Sequence, residues 1–224
     1  MKKTLLEEYN HALKNKGIFE YKDIFKNIYN EMQVEEFSPK EKIIFFNKTV
    51  DKLFYLTDGK AKINMVHEDG KSSIVQFLQS GDFIGELTLI GVEKQPKDVI
   101  AISKCVCITI PLAKARKELL RNEQFLLYLN KYLGGKLLKR TEFFARNQSY
   151  ELKNRLAAYI LLTESDGIYN EKHTETAEFL GISYRHLLFT LKKFQEQGLL
   201  FKLKKGYKID KRKLLILAKD VYQE

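Results

Sequence analysis

The sequence predicts an α+β chain built in series: a β-roll of the jelly-roll type, a long helix, and a small helical unit closed by a two-stranded hairpin. Three observations predict this. Between Glu41 and Ile110, short apolar runs alternate with turn signals, the texture of an antiparallel sandwich, barrel or roll. From Asn122 to Arg146, apolar residues recur at helical spacing. From Lys172 to Tyr207, two short helical runs flank Gly181-Ile182-Ser183, and an apolar–basic hairpin follows, the form of a helix-turn-helix with a wing.

The elements follow in order. Residues 4 to about 32 read as helix: Leu5, Leu6, Tyr9 and Leu13 keep the period, Gly17 interrupts it, and Ile24, Phe25, Ile28, Tyr29 and Met32 resume it. Ser38-Pro39 punctuates. Runs at Ile43–Phe46, Leu53–Leu56, Ala61–Val66, Ile74–Leu78, Val99–Ile102 and Cys105–Ile110 read as strands of an eight-strand-like roll, with Asp58-Gly59 and Asp69-Gly70 as tight hairpin signals. Pro111 ends the roll, and residues 112–121 read as a short helix.

A longer helix covers 122–146, with Asn122 as its cap. Along it Leu126, Asn130, Leu133, Leu137, Arg140 and Phe144 step by four and three, a coiled-coil-like seam. Gly134-Gly135 lies inside this helix, where each glycine costs about 1 kcal/mol against alanine. Close approach of a second copy gives a reason for it, as would a kink; a helix that simply packs on the roll is the alternative to the favoured reading, a homodimer seam of Leu126, Leu133, Leu137 and Phe144. Asn147–Tyr150 reads as a hinge. The expected units are therefore 1–121 (helical start plus roll), 122–146 (dimerisation helix) and 147–224 (winged helical unit). In the last, a helix begins at Leu152 and ends near Asp166-Gly167, and another covers Lys213–Val221.

Composition narrows the classes. The chain has 224 residues, 44% of them hydrophobic and 12% aromatic, which supports a packed core. It carries 39 basic and 29 acidic residues, a net charge of +10, favouring polyanionic partners. No apolar run reaches the roughly 18 residues that span a bilayer. Glu7 and Glu8 break the N-terminal segment before any apolar core of a secretory signal, so the expectation is a cytoplasmic protein without membrane association. Cys105 and Cys107 share one face of a strand and are expected as small buried hydrophobes, with a vicinal redox pair as the alternative. Two thiols and one roll histidine, His67, argue against a metal centre or a histidine-rich metalloenzyme.

On a wheel of about 100° per residue, Ser183 caps the second helix and Gly198 terminates it. Leu187, Thr190, Leu191 and Phe194 share one face. Arg185, Phe189 and Lys192 share the other, with Tyr184 and Lys193 on the flanks. An arginine can take guanine O6 and N7 bidentately, and an apolar group can meet a thymine methyl. Lys204 and Lys205 at the hairpin tip would meet phosphates, which position without reading sequence. Double-stranded DNA is therefore the expected partner, and binding the expected activity in place of catalysis.

The order roll, seam helix, winged helix-turn-helix resembles the Crp/Fnr superfamily of bacterial transcription regulators. Gly81-Asp82-Phe83-Ile84-Gly85-Glu86-Leu87 looks like that family's Gly-Asp-x-x-Gly-Glu box in the cyclic-nucleotide-binding roll, and Thr176–Arg185 looks like its helix-turn-helix entry. Asn147-Gln148-Ser149, Asn154–Ala158, Glu171–Thr174 and Ser183–Leu188 look closest to the YeiL-type regulators. The resemblance implies a homodimer on an inverted repeat, sensing in the roll, and RNA polymerase as a further candidate partner. It places Tyr184, Arg185 and Phe189 toward bases and Ser183 and His186 toward phosphates. Cyclic-AMP-responsive members carry Glu and Arg where Arg185 and Phe189 stand, so a different site is expected.

The sensor departs from the family. Cyclic-nucleotide members hold the phosphate with an Arg-Ser pair shortly after the box; here that stretch is Glu93-Lys94-Gln95-Pro96-Lys97-Asp98, and no arginine occurs from Met1 to Ala115. A bidentate guanidinium clamp is unavailable. The candidate effector pocket is Gly85, Glu86, Leu87 and Lys97, with Lys97 offering a point charge. The effector is unassigned, control by cyclic AMP is not expected, and no cofactor is assigned.

Overall fold

The computed structural model describes residues 3–5, 22–68, 70, 72–219 and 221; of residues 3–5, 22, 23, 143, 144 and 146–148 it describes the backbone. The chain divides into two compact units, one of Met1–Lys71 with Val75–Gly134, the other of Gly135–Glu224 with Ser72–Ile74.

The first unit is the roll. Its strands are β1 (Lys3–Leu5), β2 (Gln33–Phe37), β3 (Lys42–Ile44), β4 (Lys52–Asp58), β5 (Lys60–Val66), β6 (Ser72–Gln79), β7 (Phe83–Ile84), β8 (Asp98–Ala101) and β9 (Cys105–Pro111). One sheet runs β1-β2-β9-β4-β7 and the other β3-β8-β5-β6. β9 is the central strand of its sheet, antiparallel to β2 and β4 on its two sides. Its near-continuous apolar run explains this place, because both faces are buried. Cys105 and Cys107 point into the core between the sheets, with Phe37, Phe54, Leu56, Leu78, Ile84 and Val99. Val106, Ile108 and Ile110 point the other way, into a second core with Ile28, Phe83, Leu119, Phe125 and Leu129.

The expected N-terminal helix is met at its end, over Lys22–Glu31, and not at its start. Lys3–Leu5 is a strand, paired antiparallel with Gln33–Glu35, because the outer edge of β2 offers unpaired amides and carbonyls. Residues 6–21 of that expected helix, with Leu6, Tyr9, Leu13 and Gly17, lie outside the described residues. Helix α1 (Lys22–Phe25) continues as a 3-10 turn over Lys26–Glu31. Helix α2 (Glu86–Leu89) follows the box. Helix α3 (Leu112–Glu118) and a 3-10 turn over Leu119–Arg121 follow Pro111 as expected.

Helix α4 (Glu123–Ser149) starts where expected: the Phe125 amide donates to Asn122 Oδ1 at 3.0 Å, a side-chain cap on an otherwise unpaired helical amide. It continues through Asn147-Gln148-Ser149, three residues past its expected end, and the break before the next helix falls at Tyr150-Glu151. Gly134-Gly135 stays helical, and a Cβ at either would meet nothing within 4 Å.

In the second unit, helices α5 (Leu152–Thr163), α6 (His173–Leu180), α7 (Tyr184–Glu196) and α8 (Lys211–Ala218) surround a small sheet of β10 (Ile168–Tyr169), β12 (Tyr207–Ile209) and β11 (Leu200–Lys202), in that order. The hairpin β11–β12 is the expected wing, closed by the Leu203 amide on Gly206 O at 3.0 Å. Gly206 has φ +80°, and a Cβ there would lie 2.3 Å from Tyr169 O. Only glycine lets the hairpin lie this close to β10. Helix α8 begins two residues earlier than expected because Asp210 caps it, accepting from the Lys213 amide at 3.0 Å.

Candidate functional site

The turn between α6 and α7 is built from local chemistry. Gly181 ends α6 in the left-handed region, at φ +65°, the usual helix stop. Ser183 then caps α7, its Oγ accepting from the His186 amide at 3.2 Å. Arg155 on α5 donates from Nη1 to Leu180 O at 3.0 Å, satisfying a carbonyl at the end of α6 that the helix leaves unpaired. Asn154 Nδ2 donates to Leu217 O at 2.8 Å, fixing α8 against α5.

The wheel for α7 holds residue by residue. Leu187, Thr190, Leu191 and Phe194 are buried. Tyr184, Arg185, His186, Leu188, Phe189, Lys192 and Lys193 are exposed, with Phe189 at 56%. Lys192 Nζ lies 3.9 Å from Glu196, one turn on. Lys193 Nζ instead lies 4.5 Å from the centroid of the Phe189 ring, a cation–π contact. On the wing, Lys202, Leu203, Lys204 and Lys205 are exposed, as is Phe201. Thus the second unit presents an arginine, aromatic rings and lysines on α7, and more lysines on the hairpin.

A ring stack, invisible in the sequence, joins the wing to the start of both helices. Tyr207 on β12 stacks on Tyr169 at 6.2 Å and on His173 at 6.0 Å, and the His173 ring lies 6.4 Å from Tyr184. Burial holds His173 below the usual histidine pKa, so near neutral pH the stack contains an uncharged imidazole. The wing strand and the first residue of α7 are in this way referred to one column of rings.

In the first unit, each box residue has a structural role. Gly81 donates its amide to Leu56 O at 2.8 Å, and Leu56 donates back to Asp82 O at 2.9 Å. Asp82 Oδ2 accepts from the Gln79 amide at 2.8 Å. Gly85 has φ +89°, and a Cβ there would lie 3.2 Å from Lys52 O. Glu86 is buried in the first turn of α2, where a carboxylate is favoured by the helix dipole. Leu87 follows it in the same turn. Lys97 is paired with a carboxylate: its Nζ lies 2.5 Å from Glu93 Oε1, an i,i+4 pair.

Tyr132 on α4 belongs to no sequence motif, yet it ties the box to the helix. Its hydroxyl accepts from the Phe83 amide at 3.0 Å and donates to Asp82 Oδ1 at 3.1 Å. The Phe83 ring meets Tyr55, Phe125, Tyr128 and Tyr132 edge-on at 5.1–6.4 Å.

The same packing divides the residues of the expected seam. Phe125, Leu129 and Tyr132 turn α4 toward the roll, and Leu133 packs against that core too. Leu126 is partly buried, and Phe144 is described by backbone alone. Of the expected set, Leu137 is the exposed leucine, at 65%. An exposed stripe follows Leu127, Gly134, Leu137, Leu138 and Thr141, a face rotated by roughly 70° from the expected one.

Burial pushes the Cys105 thiol up to about 12 and the Cys107 thiol well above its ordinary value; both are free and buried. Thiols so placed are protonated and inert at neutral pH, as small buried hydrophobes would be. Among the described residues no cluster of three His, Cys, Asp or Glu could hold a metal ion. No helix among them is long and apolar enough to cross a membrane.

The cyclic nucleotide-binding domain family matches residues 34–122. Regulatory protein YeiL of Escherichia coli O157:H7 is 39% identical over 196 residues, 87% of this chain and 90% of that protein. The cAMP-activated global transcriptional regulator Vfr of Pseudomonas aeruginosa is 27% identical over 176 residues, 73% of this chain and 82% of its own. A crystal structure of a CRP-family transcriptional regulator from Thermus thermophilus superimposes with a TM-score of 0.65 at 18% identity, covering 84% of this chain and 98% of that one. The roll with its Gly-Asp-x-x-Gly-Glu box, the long helix and the winged unit thus stand in one chain whose likeness to YeiL runs nearly end to end: the chain belongs to the Crp/Fnr superfamily of transcription regulators, among the YeiL-type members.

Proposed function

We propose that this chain binds DNA as a homodimer on an inverted repeat, with α7 in the major groove, and that cyclic AMP does not control it. The observation that carries this is the division of α7: four side chains locked in the core, and Arg185, Phe189, Lys192 and Lys193 presented on the far side. Tyr184, Arg185 and Phe189 face bases; Ser183, His186 and the wing lysines Lys204 and Lys205 face phosphates. The exposed stripe of α4 supplies the dimer contact, with Gly134 allowing the two helices to approach closely. RNA polymerase is the partner through which such a dimer would act on transcription.

What the roll offers supports the reading that cyclic AMP is not the effector. No guanidinium is present before Arg116, and Arg116 itself donates to the carbonyls of Leu89 and Thr88. Lys97 is paired with Glu93, which weighs against it as a substitute phosphate contact. The raised thiol pKa values weigh against redox control through Cys105 and Cys107.

Selection of binding sites from random DNA with the purified protein tests the DNA reading. It should return an inverted repeat with half-sites about 34 Å apart centre to centre. Arg185→Ala should cost about 1–3 kcal/mol on that site and relax one base position; enrichment of no sequence at all would refute the proposal. Calorimetry with cyclic AMP tests the sensor reading, and tight stoichiometric binding would overturn it.

A further inference from the structure

We infer that Phe189 and Lys193 form one unit that reads a thymine through its 5-methyl group, with Lys193 positioning the ring and not serving as a phosphate contact. This rests on the DNA-reading role proposed for α7 and adds the base it selects. Phe189 is exposed at 56% on a face whose opposite side is locked into the core. It has no hydrogen-bonding group, so its only base-specific partner in the major groove is an apolar one, and among the four bases thymine alone carries a methyl there.

An exposed aromatic ring on a helix is otherwise free to swing about χ1 and χ2. Here Lys193, one turn on, sets its ammonium 4.5 Å from the ring centroid. That contact covers one face and leaves the edge and the other face to the groove. It also distinguishes Lys193 from its neighbour Lys192, which lies toward Glu196. Arg185 precedes Phe189 by one helical turn, about 6 Å along the axis, against a base-pair rise of about 3.4 Å. The guanine taken by Arg185 and the thymine met by Phe189 therefore lie one or two base pairs apart in the same half-site.

The experiment uses the full-length protein and a site recovered by selection. At each thymine in turn, deoxyuridine replaces thymidine, removing the methyl and keeping the base pair. One thymine per half-site should show a loss of about fourfold, the worth of one buried methyl group, and about fifteenfold when both half-sites are changed. Phe189→Ala should bind the thymine and uracil sites equally. Lys193→Met should weaken binding to the thymine site more than to the uracil site, so that discrimination falls, which a purely structural or phosphate role for Lys193 would not produce. Equal binding of thymine and uracil sites by the wild type, or discrimination that survives Phe189→Ala, overturns the inference while leaving the DNA-reading role intact. Discrimination unchanged in Lys193→Met, with loss at every sequence and a smaller salt slope, overturns the positioning role. A selection that returns no site refutes the broader reading instead.

Discussion

Removing one hydroxyl, by Tyr132→Phe, should measurably loosen the roll. The Tyr132 oxygen accepts the Phe83 amide at 3.0 Å and donates to Asp82 at 3.1 Å. Phe83 is buried at 1% exposure, so its amide would lose its acceptor where water does not replace it. A buried donor left unpaired costs about 1–3 kcal/mol, and the partly exposed Asp82 carboxylate recovers most of its own loss from solvent. The ring remains, so the edge-on contacts with Phe83 persist and no cavity forms. The expected cost is about 2 kcal/mol, a large fraction of a domain's 5–15 kcal/mol, read from urea unfolding of the first unit by the midpoint shift at constant slope. A pH dependence provides a second readout. Burial, then the charges of Asp82 and Glu86, push the Tyr132 phenol above its ordinary value of 10.0. The unfolded chain therefore loses this proton first, and stability present below about pH 10 declines as pH rises further. Tyr132→Phe should make that alkaline decline shallower. A midpoint shift worth under about 0.5 kcal/mol, with an unchanged alkaline limb, would refute the assignment of Tyr132 as the acceptor for Phe83.

Three further outcomes are expected. Leu127→Lys with Leu138→Lys should shift the protein toward monomer in sedimentation, whereas Leu133→Ala should leave the oligomeric state alone and cost about 1–3 kcal/mol of stability, because Leu133 packs on the roll core. Gly206→Ala places a Cβ against Tyr169 O at a positive φ, and should lower the stability of the second unit by about 1–3 kcal/mol and weaken DNA binding through a displaced wing. Cys105 and Cys107 should resist iodoacetamide in the native protein at pH 8 and react on unfolding, since both are buried and held protonated; fast labelling of the folded protein would reopen a redox role.

The parts legible from sequence are those whose signal is local. In α7 the serine cap, the 3.6-residue apolar period and the glycine stop lie within 16 residues, Ser183–Gly198, and all agree. The inner strands were legible for the same reason: their apolar runs end at turn residues. β2 was not, because Gln33-Val34-Glu35-Glu36-Phe37 reads as polar. It is a strand because its backbone pairs along β9 from Gln33 to Phe37, where the buried Glu35 is met by Lys52 from β4, a partner 17 positions away. β1 was missed on similar grounds, its pairing edge being supplied by β2. The seam is a different case. Period alone says that α4 has apolar faces; which face meets the roll is decided by the fit of Phe125, Leu129 and Tyr132 around Phe83. The ring stack through His173 and Tyr207 was hidden because its members come from β10, β12, α6 and α7.

The box is a different case, since it was the residue pattern that pointed to a ligand. Every residue that defines it has a task in the fold before any ligand is considered. Gly81 makes the turn onto Leu56 at φ +97°. Asp82 holds the Gln79 amide on one oxygen and Tyr132 on the other. Gly85 passes the Lys52 carbonyl at a distance a side chain would strain. Glu86 sits in the first turn of α2, where the amides lack helical acceptors. A roll can therefore keep this box without keeping a cyclic nucleotide, and the pattern reports the fold. In the stretch after the box, this chain has Lys97 held by Glu93. The box is nevertheless mechanically connected, because Asp82 and Phe83 are the residues that Tyr132 binds. A change of box geometry, whatever its chemical cause, bears first on α4, the helix that also carries the exposed leucine stripe.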